Sequence, residues 1–193
     1  MIESKHMLRY YLECDKVALG INRTRPHLWG DEIWKYQRYM RMLDYANTTR
    51  SFFWKIIRAY LKYKYHVLGM KLGFSIPINV FGPGLAIVHY GTIVVSSEAK
   101  IGENCRIHAG VNIGANGGEK AAATIGDNVY IGPGAKIVGK ICIGDNVCIG
   151  ANAVVTNDVE SGITIGGIPA RKISNADSSK HLKKATEIIN KEV

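Results

Sequence analysis

The chain has 193 residues, 47% of them hydrophobic, and a formal net charge of +9. This length and apolar content suit one folded domain with an appendage and exclude a chain too polar to bury a core. No stretch approaches the ~20 consecutive apolar residues of a membrane span, and Cys14, Cys105, Cys142 and Cys148 show no CxxC spacing, so they read as reduced thiols of a cytoplasmic protein without a signal-like N-terminus.

The charge is uneven. Residues 1–73 hold 14 Lys and Arg against 6 Asp and Glu, residues 74–193 hold 11 against 10, and no acidic residue stands between Asp44 and Glu98. Such a basic patch attracts nucleic acid, an anionic membrane face or a phosphate-bearing ligand without choosing among them. Residues 1–72 read as a basic helical region with breaks near Gly20, at Pro26 to Gly30 and at Asn47 to Ser51. Within 51–71, Phe52, Ile56, Tyr60, Tyr63 and Val67 share one side of a helix, with Lys55, Arg58 and Lys62 on another. The segment reads as a helix packed on the following domain with its basic face in water. The alternative is an interfacial helix making peripheral contact with anionic lipid at the inner membrane surface. Nucleic acid is not expected as a partner, because no recognisable binding module accompanies the charge.

From Val95 an aliphatic residue returns every six positions: Ile101, Ile107 and Ile113, then Ile125, Ile131, Ile137, Ile143, Ile149 and Val155. Two residues before each stands another small or aliphatic residue, from Ala99 and Cys105 through Val147 and Ala153. Positions two apart in a strand share a face, so both columns point into one interior. A six-residue unit cannot bury its own face, whereas stacked units can, which predicts a parallel β-helix. Glycine follows the aliphatic at Gly102, Gly114, Gly126, Gly132, Gly144 and Gly150 and permits tight corners. The phase survives from Ile113 to Ile125, so residues 115–122 read as a loop thrown out of the coil. Residues 175–193 read as a short basic helix covering the open end of the last coil.

The repeat, with Gly166-Gly167-Ile168-Pro169-Ala170-Arg171, resembles the left-handed β-helix hexapeptide acyltransferases, and His89-Tyr90-Gly91-Thr92-Ile93-Val94-Val95 resembles their serine acetyltransferase branch. The resemblance covers about residues 74–174 and implies a mainly β fold, the left hand of the helix, and homotrimers holding acetyl-CoA between neighbouring subunits. It divides the chain into residues 1–72, a β-helix domain over 73–174, and a C-terminal helix over 175–193. His89 falls where the family has its general base, a role suited to imidazole because its ordinary pKa of ~6.5 leaves it neutral near pH 7. Ala151 falls on the pantetheine track with Thr156 after it, and Arg171 falls where the family meets the cofactor phosphates, with Lys172 beside it.

His108 lies 19 residues after His89, about one coil further on. It should point outward beside His89, where it binds the acceptor, is structural or serves as the base in place of His89. Glu98 and Glu103 are candidate partners for the imidazoles. Two departures concern the acceptor: Phe74 stands where the family has an orienting aspartate, and Ala121 to Ala123 stand where it has a second histidine. The expectation is therefore acetyl-CoA-dependent acetylation of a hydroxyl on a sugar or cell-surface polysaccharide precursor. Serine O-acetylation is the alternative. No metal is expected, since the metal-dependent carbonic anhydrases of this β-helix type need three histidines and the repeat supplies only His89 and His108.

Overall fold

The computed structural model describes residues 1–49, 52–117 and 120–191, with the side chains of Phe52 and Phe53 also outside the described set. Three helices come first: α1 (Lys5–Ala18), α2 (Glu32–Thr48) and α3 (Phe52–Leu72). Ser4 caps α1 by accepting a hydrogen bond from the Met7 amide at 3.0 Å.

Short strands follow: β1 (Phe74–Ser75), β2 (Ala86–Ile87), β3 (Ile93–Val95), β4 (Lys100–Ile101), β5 (Arg106–Ile107), β6 (Asn112–Gly114) and β7 (Thr124–Ile125). The coils continue through β8 (Tyr130–Ile131), β9 (Lys136–Val138), β10 (Cys142–Ile143), β11 (Cys148–Ile149), β12 (Val154–Val155), β13 (Thr164–Gly166) and β14 (Arg171–Ser174), before α4 (Ala185–Lys191). They form three sheets, ordered β1-β3-β6-β9-β12, β4-β7-β10 and β2-β5-β8-β11-β13-β14. Successive coils pair in parallel, 18 residues apart where Tyr130 faces Cys148 and Lys136 faces Val154. The step widens to 24 residues on all three sheets across residues 115–122, as in Lys100 with Thr124, Arg106 with Tyr130 and Asn112 with Lys136. The loop therefore leaves the coil without changing its phase. Gly118 and Glu119 within it lie outside the described residues.

Both inward columns are buried. Ile107, Ile113, Ile131, Ile137 and Ile149 are fully enclosed, as are Ala123, Val129, Ala135, Val147 and Ala153. Each enclosed isoleucine contributes about 1.5–3 kcal/mol. Glycine after the inward residue stands where a side chain would crowd the next coil: a Cβ on Gly126 would meet the Asp145 backbone nitrogen at 2.9 Å. Left-handed backbone at the corners falls partly to asparagine, with φ of 54° at Asn104, 57° at Asn128 and 57° at Asn146. These side chains bond to one another along the stack, Asn104 to Asn128 at 2.9 Å and Asn128 to Asn146 at 3.2 Å.

The helices close the starting end of the stack. Arg41, buried on α2, forms a two-pronged ion pair with Asp15 of α1 at 2.9 and 3.1 Å. The same guanidinium donates to the Phe81 and Gly82 carbonyls, both at 2.7 Å. Asp15 accepts from the Gly84 and Leu85 amides at 3.0 and 2.9 Å. Gln37 donates to the Leu85 carbonyl at 2.7 Å and accepts from the Ile87 amide at 3.3 Å, as a neighbouring strand would.

Two expectations are corrected here. The C-terminal segment does not cover the last coil. It runs back along the asparagine column, with the Ser178 amide on the Asn146 carbonyl at 3.2 Å and the Thr186 amide on Asn104 Oδ1 at 3.1 Å, and α4 packs on α1. The far end is instead folded over by β14, which returns antiparallel on β13. The second correction concerns α3, which packs through Leu61, Leu72, Tyr65 and Leu68 and leaves Ile56, Tyr60, Tyr63 and Val67 exposed.

Candidate active site

His89 stands on the corner between β2 and β3, an exposed side chain on anchored backbone. On one side the Val88 amide donates to the Ile107 carbonyl at 3.2 Å, and on the other the Gly91 amide donates to the Leu72 carbonyl at 2.9 Å. Gly91 has φ of 129°, and a Cβ there would approach the Ala109 Cβ to 3.1 Å, so the turn after the histidine needs glycine. Because β2 is an edge strand paired only with β5, the Gln37 carboxamide supplies its other partner. The helical region thus fixes the strand that delivers His89.

The His108 ring lies 6.0 Å from that of His89, centroid to centroid, at an interplanar angle of 47°. The row continues to Tyr130 at 5.1 Å and from Tyr130 to His181 at 5.0 Å. His108 Nε2 is buried with no hydrogen-bond partner among the described residues. Desolvation pushes the His108 pKa below its ordinary value, and the nearby Arg106 and His89 charges push the same way. A neutral imidazole keeps one donor and one acceptor nitrogen, and the enclosed Nε2 reaches a ligand only after the ring turns. Neither Glu98 nor Glu103 bonds an imidazole: Glu98 pairs with Ser97 and Ser96, and the Glu103 backbone with Asp127.

Arg171 and Lys172 lie exposed on β14, and neither pairs with a carboxylate among the described residues. Their strand and β2 are the opposite edges of one six-stranded sheet. At ~4.8 Å per strand, the five steps between these edges span roughly 24 Å. The base candidate and the cations therefore occupy the two ends of one sheet, as an extended ligand with a phosphate-bearing tail requires. Ala151 is exposed on the turn after β11, and Thr156 borders a depression of about 380 Å³ with Asn116 and Lys140. Sequence reasoning missed Tyr130 and His181 in the aromatic row, and His181, lying beyond the repeat, carries no periodic signal.

A family model described as bacterial transferase hexapeptide (six repeats) matches residues 122–157. The serine acetyltransferase of Staphylococcus xylosus is 33% identical over 171 residues, covering 88% of this chain and 71% of that protein. The chain belongs to the serine acetyltransferase family. Among solved structures, the Neisseria gonorrhoeae serine acetyltransferase in complex with serine aligns with a TM-score of 0.67 at 25% identity, over 89% of this chain and 71% of that one. A serine acetyltransferase in complex with CoA aligns with a TM-score of 0.67 at 25% identity, over 88% of this chain and 71% of that one. This member of the serine acetyltransferase family is thus an acetyl-CoA-dependent acyltransferase, and its coils have the left hand of that fold.

Proposed function

We propose that the protein is a serine O-acetyltransferase in which His89 is the general base. The observation that carries the reading is the serine acetyltransferase likeness over 88% of the chain, with His89 on an anchored corner inside it. Acetyl-CoA supplies an acyl group activated as a thioester. His89 accepts the proton of the acceptor hydroxyl as that oxygen attacks, then returns it to the departing sulfur. His108 holds the acceptor beside it. Arg171 and Lys172 meet the phosphates, while Ala151 and Thr156 border the pantetheine arm. The exposure of His89 and Tyr90 in a single chain fits a cleft completed by a neighbouring copy in a homotrimer, and the free thiols fit a cytoplasmic enzyme.

The sugar acceptor expected from the sequence draws no support from these relatives, and serine fits them better. One observation keeps a second reading: among the described residues no carboxylate bonds to His89 or His108, and Phe74 stands where the serine acetyltransferases were expected to have an orienting aspartate. A hydroxyl on a sugar is then the competing acceptor. The test is thiol release from acetyl-CoA with serine and with simple sugars, using wild type and His89→Ala. Serine-dependent release lost in the variant is the expected result, and release with sugars alone overturns it.

A further inference from the structure

The outward side of α3 carries an apolar row that no described residue covers. Ile56, Tyr60, Tyr63, Val67 and Met70 are 62%, 56%, 64%, 36% and 65% exposed. Their alternating spacing of four and three residues keeps them on one side of the helix through most of its length. Exposed Lys55 and Lys62 stand beside the row, and Lys71, held by Glu32 at 3.5 Å, stands at its end. A second exposed feature adjoins it. Leu28 and Trp29, 85% and 88% exposed, form the loop tip before α2, and Leu28 borders the same depression as Lys64 of α3.

A groove of about 810 Å³ opens between α3 and β1. Tyr36, Tyr65 and Phe74 form its apolar wall, and Lys62 and His66 supply polar groups at α3. Met70 belongs to both the groove and the exposed row, so the two are continuous. An apolar recess with cations at its margin matches a molecule that has a hydrocarbon part and an anionic head.

Charge decides the occupant. A second copy would set the row against its own image, bringing Lys64 against lysines, and α3 has no acidic residue to answer it. An anionic lipid surface answers every one of these features: tyrosine and tryptophan rings suit the boundary between hydrocarbon and water, and lysines suit the headgroups. No helix among the described residues is long and apolar enough to cross a membrane. We propose that the outer face of α3, with the Leu28–Trp29 tip and the adjoining groove, docks the protein on an anionic bilayer. At the Lys71 end this surface adjoins Tyr90, but it contains none of the residues proposed for acetyl transfer and is assayed without any acceptor.

The experiment is flotation of the full chain with vesicles of phosphatidylcholine alone and of phosphatidylcholine mixed with phosphatidylglycerol. Binding to the mixed vesicles, reversed by salt, is expected. Lys55→Gln with Lys62→Gln should weaken partitioning about fivefold per charge. Tyr60→Ser with Tyr63→Ser should release the protein while leaving its melting temperature unchanged, since both rings are already exposed. Absence of flotation, or equal binding to both vesicle types, overturns the proposal. So does light scattering that shows a larger assembly abolished by the tyrosine variant without lipid, because the row would then be an interface between copies.

Discussion

The ring centroids of His89 and His108 lie 6.0 Å apart on neighbouring corners of the coil, the first side chain exposed and the second with a buried Nε2 that has no partner among the described residues. Their different surroundings fit the different work proposed for them. His89→Ala should lower kcat about 10²–10⁴-fold, the range typical of a removed general base, with acetyl-CoA affinity intact. His108→Leu should act mainly on the acceptor KM. Steady-state thiol release, with calorimetric titration of acetyl-CoA, separates the two.

The low pKa of His108 also predicts a pH dependence of stability. The unfolded chain binds a proton at this ring near the ordinary 6.5, whereas the folded ring takes it up only at lower pH. Its contribution is complete above that ordinary value and is lost as the pH falls through the folded pKa. Urea midpoints measured on both sides of 6.5 should therefore drop on the acidic side, and His108→Leu should flatten part of that drop.

Arg41 and Asp15 test how firmly the helices hold the first coil. Arg41→Met leaves the Asp15 carboxylate buried beside the Gly84 and Leu85 amides without its counterion. Removing one partner of such a pair costs about 3–5 kcal/mol, which urea denaturation resolves.

Gln37→Leu removes both hydrogen bonds to the strand that carries His89, leaving the Leu85 carbonyl and Ile87 amide unpaired at a cost of about 1–3 kcal/mol. The expected result is a lower kcat with an unchanged acetyl-CoA KM, because the disturbance lies at the base and not at the phosphates. A variant that loses stability but keeps its kcat would show that the corner holds itself.

Arg171→Ala should raise the KM for acetyl-CoA about tenfold, the loss of roughly 1.4 kcal/mol of charged hydrogen bonding. The acceptor KM should not move. Kinetics with each substrate varied in turn checks both statements.

The β-helix core was legible in the sequence because every coil must place an apolar side chain at the same two inward positions, as Val129 with Ile131 and Val147 with Ile149 do. The nearness of His89 and His108 was legible for the same reason, their separation being close to one coil. Other features had no such rule. Apolar spacing in α3 shows which residues share a side, but it cannot show which side meets the core, and Leu61 and Tyr65 took the place assigned to Tyr60 and Tyr63. The asparagine corners were present as Gly-Glu-Asn at 102–104 and Gly-Asp-Asn at 126–128 and 144–146. They passed unnoticed because polar residues between core positions look like ordinary surface. The return of the C-terminal segment depends on bonds such as Thr186 to Asn104, between residues far apart in sequence, which no local pattern encodes.

The Gln37 carboxamide occupies the edge where another coil would otherwise add. With β14 folded antiparallel over the other end, neither edge of this six-stranded sheet offers a parallel strand to a newcomer. That sheet is thereby of fixed height: strands that repeat within the chain are kept from repeating between chains there, and the helical region serves as a stopper against fibril growth.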